Sequence, residues 1–241
     1  PFILFLTGTE GWAPFASGSV LMISALLTIG LARHVPGDFS SDRPVRIFAL
    51  MRLWPVPFLL NFLFAASIEA LASFFSLMGV RLGLLEATTL ALLAVMGIGS
   101  LMMQYPIGWL ADHMDRRRLV NAIVILVAGG TLLLPWVLQA GLAVAYPFII
   151  VYGGLISTLY ALGVVLLGER FRGGELAAAS AGFTLMWALG FAVGPAIAGF
   201  FYDIFDTPGL ILSIAGFLLI FPLATPFVWK KKPPAGTDAG D

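Results

Sequence analysis

One side chain stands apart by where it lies. Glu69 falls in the apolar run 56–80 and is the one ionisable residue deep inside any such run of the chain. A helix rising about 1.5 Å per residue from Val56 places it roughly 20 Å in, a little past the middle of a bilayer. A carboxyl at that depth is costly and normally faces a cavity or a partner. Its chemistry there would be to accept a proton or bind a cation on one side and release it on the other. At about 100° per residue, Asn61, Ala65, Ile68, Glu69, Ala72, Ser73 and Ser76 share one arc of the helix. Leu59, Leu60, Leu63, Leu71, Phe74, Phe75 and Leu77 share the other. The first arc suits a pathway, the second suits lipid. Tyr152, Ser157 and Tyr160 offer hydroxyls from the run 145–168, and Thr184 and Trp187 add polar tips from 176–202. Such groups fit a mostly apolar pocket with a few orienting contacts, although Tyr and Trp also pack between helices. Asn61, Tyr160 and Trp187 are the expected companions of Glu69 on a substrate or proton pathway. The structural alternative is a protonated Glu69 bonded to a neighbouring helix.

Other chemistries lack their residues. The chain has no cysteine, so it has no thiolate metal site or thiol nucleophile. Its two histidines, His34 and His113, both lie beside charged loops, so no metal is expected. No HExxH helix and no nucleophile with a base is present, so an enzyme is not expected. There is no phosphate-cradling loop, which points to an ion gradient as the energy source, and no cofactor is expected. The 13 basic and 13 acidic residues cancel, giving no reason to expect nucleic acid as a partner.

Two charged turns have distinctive spacing. The first runs Gln104-Tyr105-Pro106-Ile107-Gly108-Trp109-Leu110-Ala111-Asp112-His113-Met114-Asp115-Arg116-Arg117-Arg118. In it a glycine precedes an aspartate by four residues, and a tight basic turn follows. Gly108 would let two helices approach closely, and Asp112 could accept hydrogen bonds from a helix N-terminus. Gln104 is placed near a gate. The second turn, Gly168 to Leu176, holds Glu169, Arg170, Arg172 and Glu175. After it, Gly182, Gly190, Gly194 and Ala198 recur at multiples of four, a smooth face for close packing, and Pro195 permits a bend.

The elements that must position these residues are membrane spans. Apolar residues make up 60% of the 241 and charged ones 11%, against roughly a quarter charged in soluble domains. Mean hydropathy is +1.00. Runs of about 20 apolar residues occur at 14–34, 56–80, 85–110, 119–139, 145–168, 176–202 and 208–229, and residues 1–9 read as the end of another helix. Continuous apolar runs exclude a β-barrel, which would alternate. The fold class is therefore all-α, a polytopic transmembrane helical bundle. With spans passing alternately up and down, Arg81 alone of the 13 basic residues falls on one side. The loops holding Arg43, Arg46, Arg52, Arg116 to Arg118, Arg170 and Arg172, and the tail with Lys230 to Lys232, are then cytoplasmic. Asp203 and Asp206 fall in an outer loop and read as solvated. The chain opens on Pro1 without a basic n-region, which reads as the interior of a longer chain rather than a signal peptide.

The Gly108–Asp112–Arg116–Arg117–Arg118 pattern resembles the signature loop of the major facilitator superfamily. His113 stands where a basic residue is usual and Asp115 where a glycine is usual. The charged loop at 168–176 and the glycine-rich helix with Gly190, Gly194 and Pro195 resemble the family's tenth-to-eleventh-helix loop and eleventh helix. The resemblance implies helices six to twelve of a twelve-helix carrier. Residues 1–34 would hold the end of one transmembrane helix and a complete next helix of the N-terminal half. Residues 35–55 would be the cytoplasmic loop between halves, 56–229 the C-terminal six-helix bundle, and 230–241 a disordered cytoplasmic tail. It also implies a secondary transporter in the cell (inner) membrane, worked by protons and alternating access. Its partners would be a small-molecule substrate, the lipid bilayer and the preceding helices of the same chain. One carboxyl in an apolar setting favours an amphipathic or cationic solute, and export over uptake. The alternative is a non-transporting receptor or scaffold that keeps the carrier fold.

Overall fold

The computed structural model describes residues 47–229, with residues 16, 19–20, 22–24 and 26–28 before them. The chain divides into two units, Pro1–Ser40 and Ser41–Asp241. In the first unit the described residues are helical. The helix end at 1–9, much of the span 14–34, the loop over 35–46 and the tail from 230 lie outside the described residues.

The second unit is all-helical, with no strand among the described residues: α1 (Ile47–Leu53), α2 (Val56–Arg81), α3 (Glu86–His113), α4 (Arg116–Gln139), α5 (Leu142–Arg170) and α6 (Gly173–Val228). Helices α2 to α6 are each long and apolar enough to cross a membrane. The protein is an integral, multi-pass membrane protein. At 56 residues α6 would be about 84 Å long if straight, nearly three times a bilayer core. It is not one span: Asp206, at φ 57° and ψ −145°, breaks it into limbs 173–205 and 207–228. Each boundary has a local cause. Pro55 separates α1 from α2, and Gly83 and Gly141 turn the chain at positive φ, before α3 and α5 respectively. Asp115 caps α4, accepting a hydrogen bond from the Arg118 backbone N–H at 2.9 Å.

Helix α1 falls inside a stretch that the sequence presents as a loop. Its seven residues are too few to be stable alone. It is held because Leu50 is buried in a small cluster with Phe58, Ala179 and Phe183. Gly182 admits it closely: a Cβ there would stand 2.9 Å from Ile47.

In the bundle α2 packs along α6, α3 along α5, and α4 against both α5 and α6. The arc of α2 expected to face lipid is largely core: Leu60, Leu63, Leu71 and Phe75 are at most 2% exposed. On the arc expected to line a pathway, Asn61 and Ala65 are enclosed, whereas Ala72 and Ser73, further along, are exposed.

The turn at Asp206 is not merely solvated. Its carboxylate pairs with Arg81 at the end of α2 and accepts the Thr207 backbone N–H at 2.7 Å. The Arg81 guanidinium also lies 5.4 Å from the centre of the Tyr202 ring. Partial desolvation pushes the Asp206 carboxyl up, but the Thr207 N–H and Arg81 outweigh it and hold it below the usual carboxylate range. A carboxyl lowered by folding stabilises the fold above its unfolded value, and loses that contribution as pH falls through the folded one. Asp206→Asn should therefore lower the thermal midpoint in detergent near neutral pH. The difference should vanish in acid below the folded value, which a melting series against pH would read.

Candidate functional site

The candidate residues sit on α2, α5 and the first limb of α6. Glycines set the spacing. A Cβ at Gly190 would collide with the Phe62 carbonyl, Ala65 and Ala66, and one at Gly194 would collide with the Ala66 backbone. Here α2 and α6 touch backbone to backbone, which is what small residues allow in a membrane.

Asn61 is wholly enclosed beside this contact, and its Nδ2 donates to the Phe183 carbonyl at 2.7 Å. Its Oδ1 is buried without a partner among the described residues. Asn61 is thus a clamp between α2 and α6 in this arrangement. Phe183 leads directly to the aromatic groups. The Tyr160 ring lies 5.6 Å from Phe183, 5.5 Å from Trp187 and 6.2 Å from Phe64, centre to centre. Phe64 and Phe183 are buried, while Tyr160 and Trp187 are 37% and 38% exposed. The structure therefore brings Tyr160, Trp187 and Asn61 together, joined by Phe64 and Phe183, which the sequence did not single out.

Glu69 stands on the other side of the helix contact. Trp187 is about one turn before Gly190 and Glu69 about one turn beyond Ala66, so the two are roughly 10 Å apart along the bundle. Glu69 is half-buried, and its carboxyl has no hydrogen bond or ion pair among the described residues. Ala72 and Ser73 beside it are exposed, so this part of α2 is open.

Tyr152 does not join them. It is turned inward, with its hydroxyl 2.9 Å from Thr131 on α4 and its ring stacked on Phe148. Thr184 is exposed, its hydroxyl donating to the Ser180 carbonyl one turn back.

At the arginine-rich end the signature turn is built differently from its expected contacts. A Cβ at Gly108 would meet nothing within 4 Å, so close packing against the described residues is not its role. The Asp112 side chain is 73% exposed and lies 4.0 Å from Arg116. It caps no described helix N-terminus; Asp115 does that for α4. Arg116 pairs with Glu169 at the end of α5, tying the two charged turns together. No spacing rule finds that pair, since 53 positions separate its members. Arg117 is half-buried and Arg118 exposed. The exposed row Leu101, Met102, Tyr105 and Trp109 leaves this side of α3 without a described neighbour. In the first limb of α6, Pro195 is helical and half-buried, one residue beyond the Gly194 contact. Among the described residues no group of three or more His, Asp or Glu could hold a metal ion.

Residues 57–240 match the family described as Major Facilitator Superfamily. A protein of Bacillus subtilis (strain 168) named as an uncharacterized MFS-type transporter, YfkF, is 24% identical over 248 residues. The alignment covers 95% of this chain and 61% of that relative, so the chain spans about three-fifths of the relative's length.

Proposed function

The chain belongs to the major facilitator superfamily, and from that premise we propose that it is the C-terminal part of a secondary active transporter that exchanges protons for a small organic solute. The observation that carries this reading is Glu69: a carboxyl near mid-span, without a partner among the described residues, beside an open stretch of α2. Intramembrane carboxylates in such settings serve ion and substrate pathways. In carriers of this architecture the binding site lies near the midplane, and one half of the molecule rocks against the other. The side of α3 without a described neighbour and the partly exposed Tyr160 and Trp187 are, among the described residues, where a further half of the carrier would close the site. Residues 35–55 would link the halves and 56–229 form the second of them. The arginine-rich end and the C-terminus would face the cytoplasm, with the protein in the cell (inner) membrane and transport running outward. The name carried by the Bacillus relative, an uncharacterized MFS-type transporter, supports the transporter part of this reading.

The test is solute-driven proton movement in proteoliposomes holding the full-length protein. Addition of the solute should move protons in the opposite direction. Asp112→Asn should slow that movement about tenfold, the size of a modest conformational coupling, while the protein stays monodisperse. Asp112 is exposed, so no described packing is lost with its charge. A protein that binds a solute but moves neither protons nor solute would be a receptor with the carrier fold.

A further inference from the structure

A groove runs between the two limbs of α6. Ile197, Phe201 and Phe205, four residues apart, line it from the first limb, and Leu212, Gly216 and Ile220 from the second. Phe205, Leu212 and Ile220 are exposed, so among the described residues the groove opens outward. Gly209 brings the limbs together beside the turn, where a Cβ would collide with the Phe201 carbonyl. The lining carries one side-chain polar group, the Ser213 hydroxyl, and this already donates to the Leu210 carbonyl at 2.7 Å. A polar ligand would find nothing there to replace its bonds to water, so the occupant must be apolar.

The charges at the turn set the level of the groove in the membrane. Asp206 directly follows Phe205, and its pair with Arg81 lies at the end of the bundle opposite the Arg116–Glu169 pair. Both side chains are half-exposed, and such charges belong at the membrane surface rather than in hydrocarbon. From Gly209 to Ile220 the second limb rises about 16 Å. That is the depth of one leaflet, half of a hydrocarbon core about 30 Å thick. The groove thus starts at headgroup level and ends near the midplane. Its volume of about 550 Å³ spread over that length leaves a channel roughly 6–7 Å wide. Another α-helix, about 10–12 Å across, is too wide for it; a hydrocarbon chain is not. Arg81 gives Nη1 to Asp206, and its Nε and Nη2 have no hydrogen-bond partner among the described residues. Its guanidinium is steadied over the Tyr202 ring. The remaining N–H groups suit phosphate oxygens, which a guanidinium binds through two parallel bonds.

We propose that this groove holds one phospholipid of the surrounding bilayer, an acyl chain lying between the limbs of α6 and the phosphate bound to Arg81 beside the Asp206 turn. The chain fills the space that the diverging limbs leave, and the phosphate contact keeps this lipid in place while its neighbours exchange. The proposal is independent of what the protein transports.

The test is native mass spectrometry of the full-length protein, stripped of lipid in detergent and then supplied with dioleoylphosphatidylglycerol. The protein should retain the lipid, and Gly216→Phe should retain one lipid fewer. A Cβ at Gly216 would meet nothing within 4 Å, so the phenyl ring enters the groove without displacing described atoms at its root. Gly216→Ala should keep the lipid. So should Gly129→Phe, which adds the same ring at an equally open position on α4. Arg81→Gln should lose the same single lipid, and dioleoylglycerol, with the same chains and no phosphate, should not be retained in its place. The proposal is overturned if Gly216→Phe or Arg81→Gln keeps the full complement, or if dioleoylglycerol is retained equally. It is overturned too if the unaltered protein retains no lipid, which would mean that another part of the chain covers the groove. A dimer that Gly216→Phe splits would assign the groove to a second copy instead.

Discussion

Proteoliposomes containing a Glu69→Gln variant of the full-length protein should no longer convert a pH gradient into a solute gradient. The substitution keeps the size and hydrogen-bonding reach of the side chain and removes only its ability to titrate. One pH unit is worth about 1.4 kcal/mol, which for one proton exchanged against one monovalent organic cation, an electroneutral exchange, sustains roughly a tenfold concentration ratio. The variant should bring that ratio to about one, while exchange of solute against solute continues. Its stability should not fall. A carboxylate at mid-bilayer costs about 2.5–3.5 kcal/mol on insertion scales, and the amide avoids that term. The thermal midpoint should therefore stay level or rise. Glu69→Asp keeps the titrating group one methylene shorter and should retain part of the coupling. A Gln variant that still builds a tenfold ratio per pH unit would make Glu69 a structural acid. The proton site would then have to be sought elsewhere, and no other carboxyl lies deep inside a described span.

The spans could be read from the sequence because a bilayer demands about 20 apolar residues, and Gly83, Gly141 and the charged turns at 112–118 and 169–175 mark where each run stops. Orientation of a helix about its own axis could not be read in the same way. In water, the apolar side of a helix is the buried side; in lipid, tails are as apolar as leucine, so hydrophobicity does not separate core from lipid. This is why Leu60, Leu63, Leu71 and Phe75, expected to face lipid, are in the core. Size was the better guide: Ala65, Ala66, Gly190 and Gly194 mark the contact between α2 and α6. Helix α1 was hidden because seven residues give too short a pattern, and its order comes from Leu50 entering a cluster distant in sequence. The companions of Asn61, Arg116 and Asp206 lie 122, 53 and 125 positions away, pairings that no local spacing encodes. Of the candidate site, Glu69, Tyr160 and Trp187 were legible as polar tips in apolar runs. The inward turn of Tyr152 toward Thr131 was not.

The glycines allow the separation of local pattern from tertiary role to be measured. Gly194 and Gly108 both look, in sequence, like contact glycines of membrane helices. At Gly194 even a methyl group would meet the Ala66 backbone, which cannot rotate away as a side chain can. At Gly108 a methyl group meets open space. Gly194→Leu should force α2 and α6 apart, release the Asn61 bond to the Phe183 carbonyl and disturb the tilted packing of the Tyr160 ring against Phe183 and Trp187. Overpacking typically costs about 1–3 kcal/mol, and a clash with backbone belongs at or above the upper end. A loss of that size is a large part of a typical folding free energy of about 5–15 kcal/mol, so the variant should be recovered mostly as aggregate or melt at least about 10 °C lower in detergent. Gly108→Leu should leave melting of the residue 41–241 unit almost unchanged, because no described atom has to move. If it instead lowers transport in the full-length protein without changing that melting, Gly108 serves a contact made only with the preceding helices, at a stage of the cycle when the exposed side of α3 is covered. Equal melting losses for the two variants would mean that the backbone contact between α2 and α6 does not hold the bundle together, and Asn61 would lose its reason for being enclosed.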